Sequence, residues 1–158
     1  MRSKPLFKYP SDHVLGIVGS EEAKFTVKTE AEARRQIIRL FQLYKPRLVV
    51  SGACHLGGID IWAIQEARNF KIPTEQYPPD KLSWQYYKKR NIQIAKASTI
   101  VVCITVAKLP PDYKGMRFPF CYHCGTSSHV KSGGCWTTKY ARDKLDKTAF
   151  TLTVGNKK

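Results

Sequence analysis

Short apolar runs alternate with amphipathic stripes along nearly the whole chain, and this rhythm restricts the fold more than any other feature. Val14-Leu-Gly-Ile-Val-Gly19 reads as a buried strand running into a Gly19-Ser20 turn. A helix follows to about Tyr44, with Ile37, Leu40, Phe41 and Tyr44 at helical spacing, a capping-box pattern at Thr29-Glu-Ala-Glu32 and Pro46 as its stop. Further strands are expected at 47–52, 72–77, 99–106 and 149–154, and helices at 59–70, 83–97 and 136–145. Strand and helix in steady alternation predict an α/β fold around a mainly parallel sheet. Residues 1–12, with Pro5 and Pro10, read as a loose lead-in.

Residues 108–135 break the rhythm. A stretch this long without periodicity needs an organising principle of its own. It contains Cys121-x2-Cys124-x4-His129-x5-Cys135. A CxxC turn sets two thiolates on one side of a tight loop, and His129 and Cys135 complete a tetrahedron of the closed, structural type, so zinc is the expected cofactor. The spacing resembles a retroviral-type zinc knuckle with one extra residue. His123, wedged between the two cysteines, is poorly placed to share the metal. Five cysteines with three in one cluster do not form a disulfide framework, which favours a reducing compartment. Cys54 and Cys103 lie in strand-like surroundings and read as small buried hydrophobes.

Three small-residue turns suit a phosphate-bearing ligand. Ser51-Gly52-Ala53-Cys-His-Leu-Gly57-Gly58-Ile-Asp60 leaves a strand and opens a helix, where free backbone N–H groups favour an anion. Asp60 either caps that helix or accepts from a ribose or base. Ser132-Gly133-Gly134 also precedes a helix, and Gly19-Ser20 ends a strand. All three would meet along the carboxyl edge of a parallel sheet. Because Cys135 adjoins the second glycine turn, a metal there is expected to fix that turn and couple to ligand affinity.

Charge adds to this. Lys and Arg number 27 against 12 Asp and Glu, a formal net charge of +15, with Asp112 the only acid between Lys81 and Lys131. Such a field attracts phosphates on nucleotides or nucleic acids. Trp84-Gln-Tyr-Tyr-Lys-Lys-Arg-Asn91 interleaves aromatics with bases, as suits a mononucleotide or single strand. In a plain amphipathic helix, Tyr87 and Ile94 would face the core, leaving Arg90 for the ligand. The longest apolar run, Thr99 to Ala107, is short of the ~20 residues a bilayer needs. With no signal-peptide pattern after Met1, a soluble cytoplasmic protein without a membrane partner is expected.

Gly16-Ile-Val-Gly-Ser20, Val50 to Asp60 with Trp62-Ala63, Lys89-Arg-Asn91, and Ser132-Gly-Gly134 with Thr137 resemble the SLOG superfamily, in its YspA-related branch. The likeness runs from about residue 14 to 154. It implies one Rossmann-like three-layer domain that binds a nucleotide or nucleotide-derived ligand and self-associates. The ligand contacts it implies are Gly19, Ser20, Ser51, Gly52, Ala53, Gly57, Gly58, Asp60, Arg90, Asn91, Ser132, Gly133, Gly134 and Thr137. Relatives include Lonely-guy phosphoribohydrolases, molybdenum-cofactor carriers and the single-strand DNA-binding protein DprA. Two departures matter. Glu21 stands where the branch usually has Arg, and Thr137-Thr138 lead to Lys139-Tyr140 rather than to paired glutamates. Cleavage of an N-glycosidic bond needs a carboxylate, and Asp60 reads as the only acid left near the cleft. Ligand binding without chemistry is therefore the leading reading. A nucleoside-monophosphate hydrolase using Asp60 and Arg90, and a single-stranded nucleic-acid binder, are the alternatives. The Cys/His insert lies outside the general family pattern.

Overall fold

The computed structural model describes residues 10–155. The lead-in expected over 1–12 falls, up to residue 9, outside the described residues. The sheet has five strands: β1 (Val14–Gly19), β2 (Leu48–Ser51), β3 (Thr74–Gln76), β4 (Ile100–Val106) and β5 (Thr148–Val154). Four α-helices connect them: α1 (Val27–Tyr44), α2 (Ile59–Asn69), α3 (Trp84–Ala97) and α4 (Gly133–Leu145). The spatial order is β3-β2-β1-β4-β5, and every pairing is parallel. The chain therefore winds outward through β1, β2 and β3, then crosses back to lay β4 on the other side of β1. That reversal makes the carboxyl ends of β1 and β4 the crevice where open α/β sheets hold ligands.

Alternation within the strands builds the three layers. Leu15 and Ile17 of β1 join Ile100, Val102 and Ile104 of β4 under Ile37, Phe41, Ile59 and Ala63 of α1 and α2. Val14, Val18, Val101 and Cys103 face the other way, beneath Ile94 and Ala95 of α3 and Cys135 and Ala141 of α4. Central strands buried on both faces read as continuous apolar runs, which is how 99–106 stands out in the sequence.

Element ends differ from expectation where capping decides them. Helix α1 starts a turn earlier than the Thr29-to-Glu32 pattern indicates, because Thr26 is its cap. Its Oγ1 accepts from the Thr29 N–H at 3.1 Å, and the Thr29 hydroxyl accepts from the Thr26 N–H at 2.8 Å. We expect Thr26→Ala to cost about 1 kcal/mol and to lower the melting temperature by roughly 2–4 °C in a circular-dichroism melt. Helix α4 likewise starts at Gly133 rather than Trp136, with Ser132 as cap accepting from the Gly134 N–H at 3.1 Å. The second glycine turn is thus the helix's own first turn.

The 108–135 insert leaves the end of β4 and returns to the same place. The Val130 N–H donates to the Val106 carbonyl at 2.8 Å, and the Thr105 hydroxyl donates to the Val130 carbonyl at 2.8 Å. Among the described residues no helix is long and apolar enough to cross a membrane.

Candidate functional site

A cleft of about 500 Å³ opens at the carboxyl edge of the sheet. Gly19, Ser20 and Glu21 follow β1 into it, Ala53 to Leu56 follow β2, Arg90 and Asn91 face it from α3, and Ser132, Gly133 and Gly134 close it at the start of α4. The three turns singled out in the sequence therefore converge on one space. Its outer wall is apolar, formed by Pro78, Pro79, Leu82 and Trp84. Edge-to-face packing of Trp84 on Trp136 (centroids 5.5 Å apart) ties that wall to α4.

Asp60, in the first turn of α2, lies on the cleft floor and is buried. Arg90 Nη1 approaches its Oδ2 to 3.9 Å, donates to the Gly52 carbonyl, and Arg90 Nε donates to Asn91 Oδ1 at 2.9 Å. A side chain at residue 52 would begin 2.6 Å from the Asp60 carboxylate, so glycine there lets chain and ion pair share the floor. Burial lifts the Asp60 pKa to about 6, and the Arg90 charge opposes that rise. The guanidinium also lies 5.6 Å from the centroid of the Tyr87 ring. Tyr87 is thus a cleft residue rather than the core residue that amphipathic spacing suggests.

Other expected contacts stand behind the lining. The buried Ser51 hydroxyl donates to the Ile17 carbonyl at 2.7 Å, and Gly57 and Gly58 turn the backbone at φ of +74° and +85° against Glu22 and the Ser20–Glu21 chain. Thr137 is buried in α4, its hydroxyl 3.5 Å from the Gly133 carbonyl. These residues shape the turns from below.

The lining also holds groups outside the expected ligand contacts. Glu21 lines the cleft, so Asp60 is not its only acid. Tyr113 of the insert donates to Glu21 Oε1 at 2.9 Å, bringing the insert to the cleft mouth. Lys24 lines the cleft too; its Nζ donates to the Lys131 carbonyl at 3.2 Å, and burial lowers its pKa against the pull of Glu21. Cys54 is half-buried in the lining rather than a core hydrophobe, and burial raises its pKa. Glu21 and Lys24 were within reach of sequence reasoning, since both follow the Gly19-Ser20 turn directly. The Pro78 to Leu82 wall was not, because only the tertiary fold carries it there.

The donor atoms of Cys121, Cys124, His129 and Cys135 lie within 4.8 Å of one another, close enough to hold one metal ion. Local geometry gathers them. Cys121 and Thr126 pair as a two-residue bridge, and Gly125 closes the turn by donating to the Cys121 carbonyl at 2.8 Å. His129 Nε2 lies 3.7 Å from Cys135 Sγ, and His123 is outside the group. The donor set suits a soft or borderline cation. Burial and the neighbouring Cys135 and Cys121 push the Cys124 thiol up to about 12, a repulsion among thiolates that a divalent ion offsets.

No protein-family model and no curated protein matches the chain.

Proposed function

We propose that the protein binds a nucleotide or nucleotide-derived phosphate compound in the cleft, and that a structural zinc at Cys121, Cys124, His129 and Cys135 holds the wall from which α4 starts. One observation carries the reading: three turns distant in sequence converge on a single cleft with Lys24, Arg90 and Lys131. The first turn of α4 points the positive end of its dipole toward the cleft, where it favours a phosphate. The Trp84–Leu82–Pro79 wall offers apolar surface to a base. The β3-β2-β1-β4-β5 order, that of nucleotide-binding α/β sheets, supports the SLOG likeness.

The metal belongs to this function through Cys135. One residue from it, Gly134 lines the cleft, so a closed tetrahedral site fixes the anion-binding turn. Thermal unfolding against a panel of nucleoside mono- and diphosphates tests the reading. A ligand at about 100 times its dissociation constant adds roughly 2.7 kcal/mol, a rise of about 5–10 °C. A panel in which inorganic phosphate and every nucleotide leave the melt unmoved would overturn it.

Glu21 and Asp60 favour a second reading, N-glycosidic hydrolysis. Two carboxylates in one cleft, one with its pKa raised by burial, are what acid-assisted cleavage of a glycosidic bond needs. Free base released from nucleoside monophosphates, and lost in Glu21→Gln, separates hydrolysis from binding alone.

A further inference from the structure

We propose that Cys103 and Cys135 form a redox-active thiol pair, which a hydroperoxide converts to a disulfide that removes Cys135 from the metal's ligands. The two sulfurs lie 3.9 Å apart and both residues are fully buried. Cys103 belongs to β4, paired in register with Val18, and it is not one of the four metal-site donors. It is therefore a thiol uncommitted to the metal, in contact with one that is committed. A disulfide needs the sulfurs at about 2.05 Å, so a modest shift of the first turn of α4 toward β4 closes the bond.

The cleft provides the approach. Gly134 lines it, and a side chain at that position would begin 2.8 Å from Cys103 Sγ and 3.0 Å from Gly19 N and Val18 Cγ2, so the Cys103 thiol lies directly behind the cleft wall that Gly134, Gly19 and Val18 form. Cys103 Sγ attacks one peroxide oxygen; the O–O bond breaks and the thiol proton passes to the departing oxygen, giving a sulfenic acid and releasing an alcohol, or water when the oxidant is hydrogen peroxide. Cys135 Sγ then attacks the sulfenic sulfur. The S–S bond forms, the S–O bond breaks, and the departing hydroxide takes a proton from the solvent and leaves as water. The two sulfurs together surrender two electrons to the peroxide. Cys121, Cys124 and His129 remain, and three donors hold the ion far less tightly than four.

The consequence for metal retention rests on the zinc reading above, whereas the thiol pair itself does not. The test exposes the zinc-loaded chain to hydrogen peroxide and follows zinc with a chromophoric chelator and cross-links by peptide mapping. The expected result is a Cys103–Cys135 cross-linked peptide that grows in step with released zinc. Dithiothreitol plus zinc is expected to reverse both. Cys103→Ser should keep its zinc when untreated and release it several-fold more slowly under peroxide. If that variant misfolds, the map of the unaltered chain decides alone. Bridges confined to Cys121, Cys124 and Cys135, with Cys103 still fully alkylatable after zinc has left, would overturn the pair. Should the chain bind no zinc, the same map on metal-free protein still tests it, with the cross-link expected and an intact Cys103 contradicting it.

Discussion

Cys124→Ser is expected to leave the sheet folded and to abolish metal binding at the proposed site. Of the four donors Cys124 alone is not buried, so exchanging sulfur for oxygen there disturbs packing least while removing one ligand. Structural zinc sites contribute on the order of 10–16 kcal/mol of apparent binding energy to small domains. Losing even an outer-shell partner costs a site about 10–100-fold in affinity, so loss of a direct thiolate ligand should cost more. We expect about one equivalent of zinc in the unaltered protein and below about a tenth in the variant, after dialysis against a weak chelator. The insert should then open locally. Its other internal contacts lie largely at or near the surface, among them the Cys121–Thr126 bridge, Arg117, whose Nη2 donates to the carbonyls of Pro110, Pro111 and Tyr113, and Lys131 over the rings of Phe118 and Tyr122. Trypsin is expected to cut after Lys114 and Arg117 in the variant, and in the chelated parent, with the far-UV spectrum of the sheet and helices retained. Full zinc content in Cys124→Ser would remove that residue from the metal site.

The effect is local because the insert's attachment to the sheet does not pass through the metal. Thr105 joins Ser20 at 2.8 Å and Val130 at 2.8 Å, while Val130 packs in the core. Those contacts hold the return of the insert, leaving the outer part, around Cys121 and Cys124, to the proposed ion. Loss of metal should therefore weaken ligand binding through the Gly133–Gly134 turn before it unfolds the domain. The insert and the cleft wall are neighbours, so local opening of the insert is expected to alter the cleft.

What the sequence made legible follows the range of the interactions involved. β1, β4 and the helices between them were readable because unbroken apolar runs and period-3.6 stripes are local consequences of facing a core. The metal cluster was readable for a similar reason, since Cys121 and Cys124 declare a tight turn within four residues. The cap of α1 was misplaced because Thr29 followed by Glu32 fits the usual box, while Thr26 and Thr29 form the reciprocal pair with hydroxyls alone. β3 came out shorter than expected because Ile72 and Pro73 precede the ladder: Ile72 packs into the core, and the Pro73 carbonyl accepts from Val49. The cleft was legible in its three turns and in Arg90 and Asn91, but not in its outer wall. Its far wall of Pro78, Leu82 and Trp84, and the turn of Tyr87 toward Arg90, arise from how α3 settles against α4, which no spacing along the chain encodes.

Arg90→Ala is expected to be the most destabilising single change at the cleft. Breaking a buried ion pair by deleting one partner costs about 3–5 kcal/mol, because the other charge stays buried and uncompensated. That corresponds to a fall on the order of 10 °C in melting temperature. The pH dependence gives the mechanism its own signature. Asp60 holds its proton up to about pH 6 in the folded chain, against an ordinary value of 3.8. Between those values the folded state binds more protons than the unfolded one, so this group's contribution to stability falls as pH rises from about 4 to 6 and is level outside that window. Because Arg90 opposes the rise, its removal should push the Asp60 pKa higher and carry the decline above pH 6, toward neutrality. Melts of Arg90→Ala from pH 5 to 8 should show that extended slope, and the parent should be nearly flat over the upper half of the range. Adding Asp60→Asn to Arg90→Ala should abolish the slope and recover much of the lost stability, since no charge is then stranded. It should not recover the proposed nucleotide binding, because the guanidinium assigned there to the phosphate is still missing. A double variant that regains both fold and affinity would assign Arg90 to the architecture of the floor alone and leave the anion to Lys24, Lys131 and the first turn of α4.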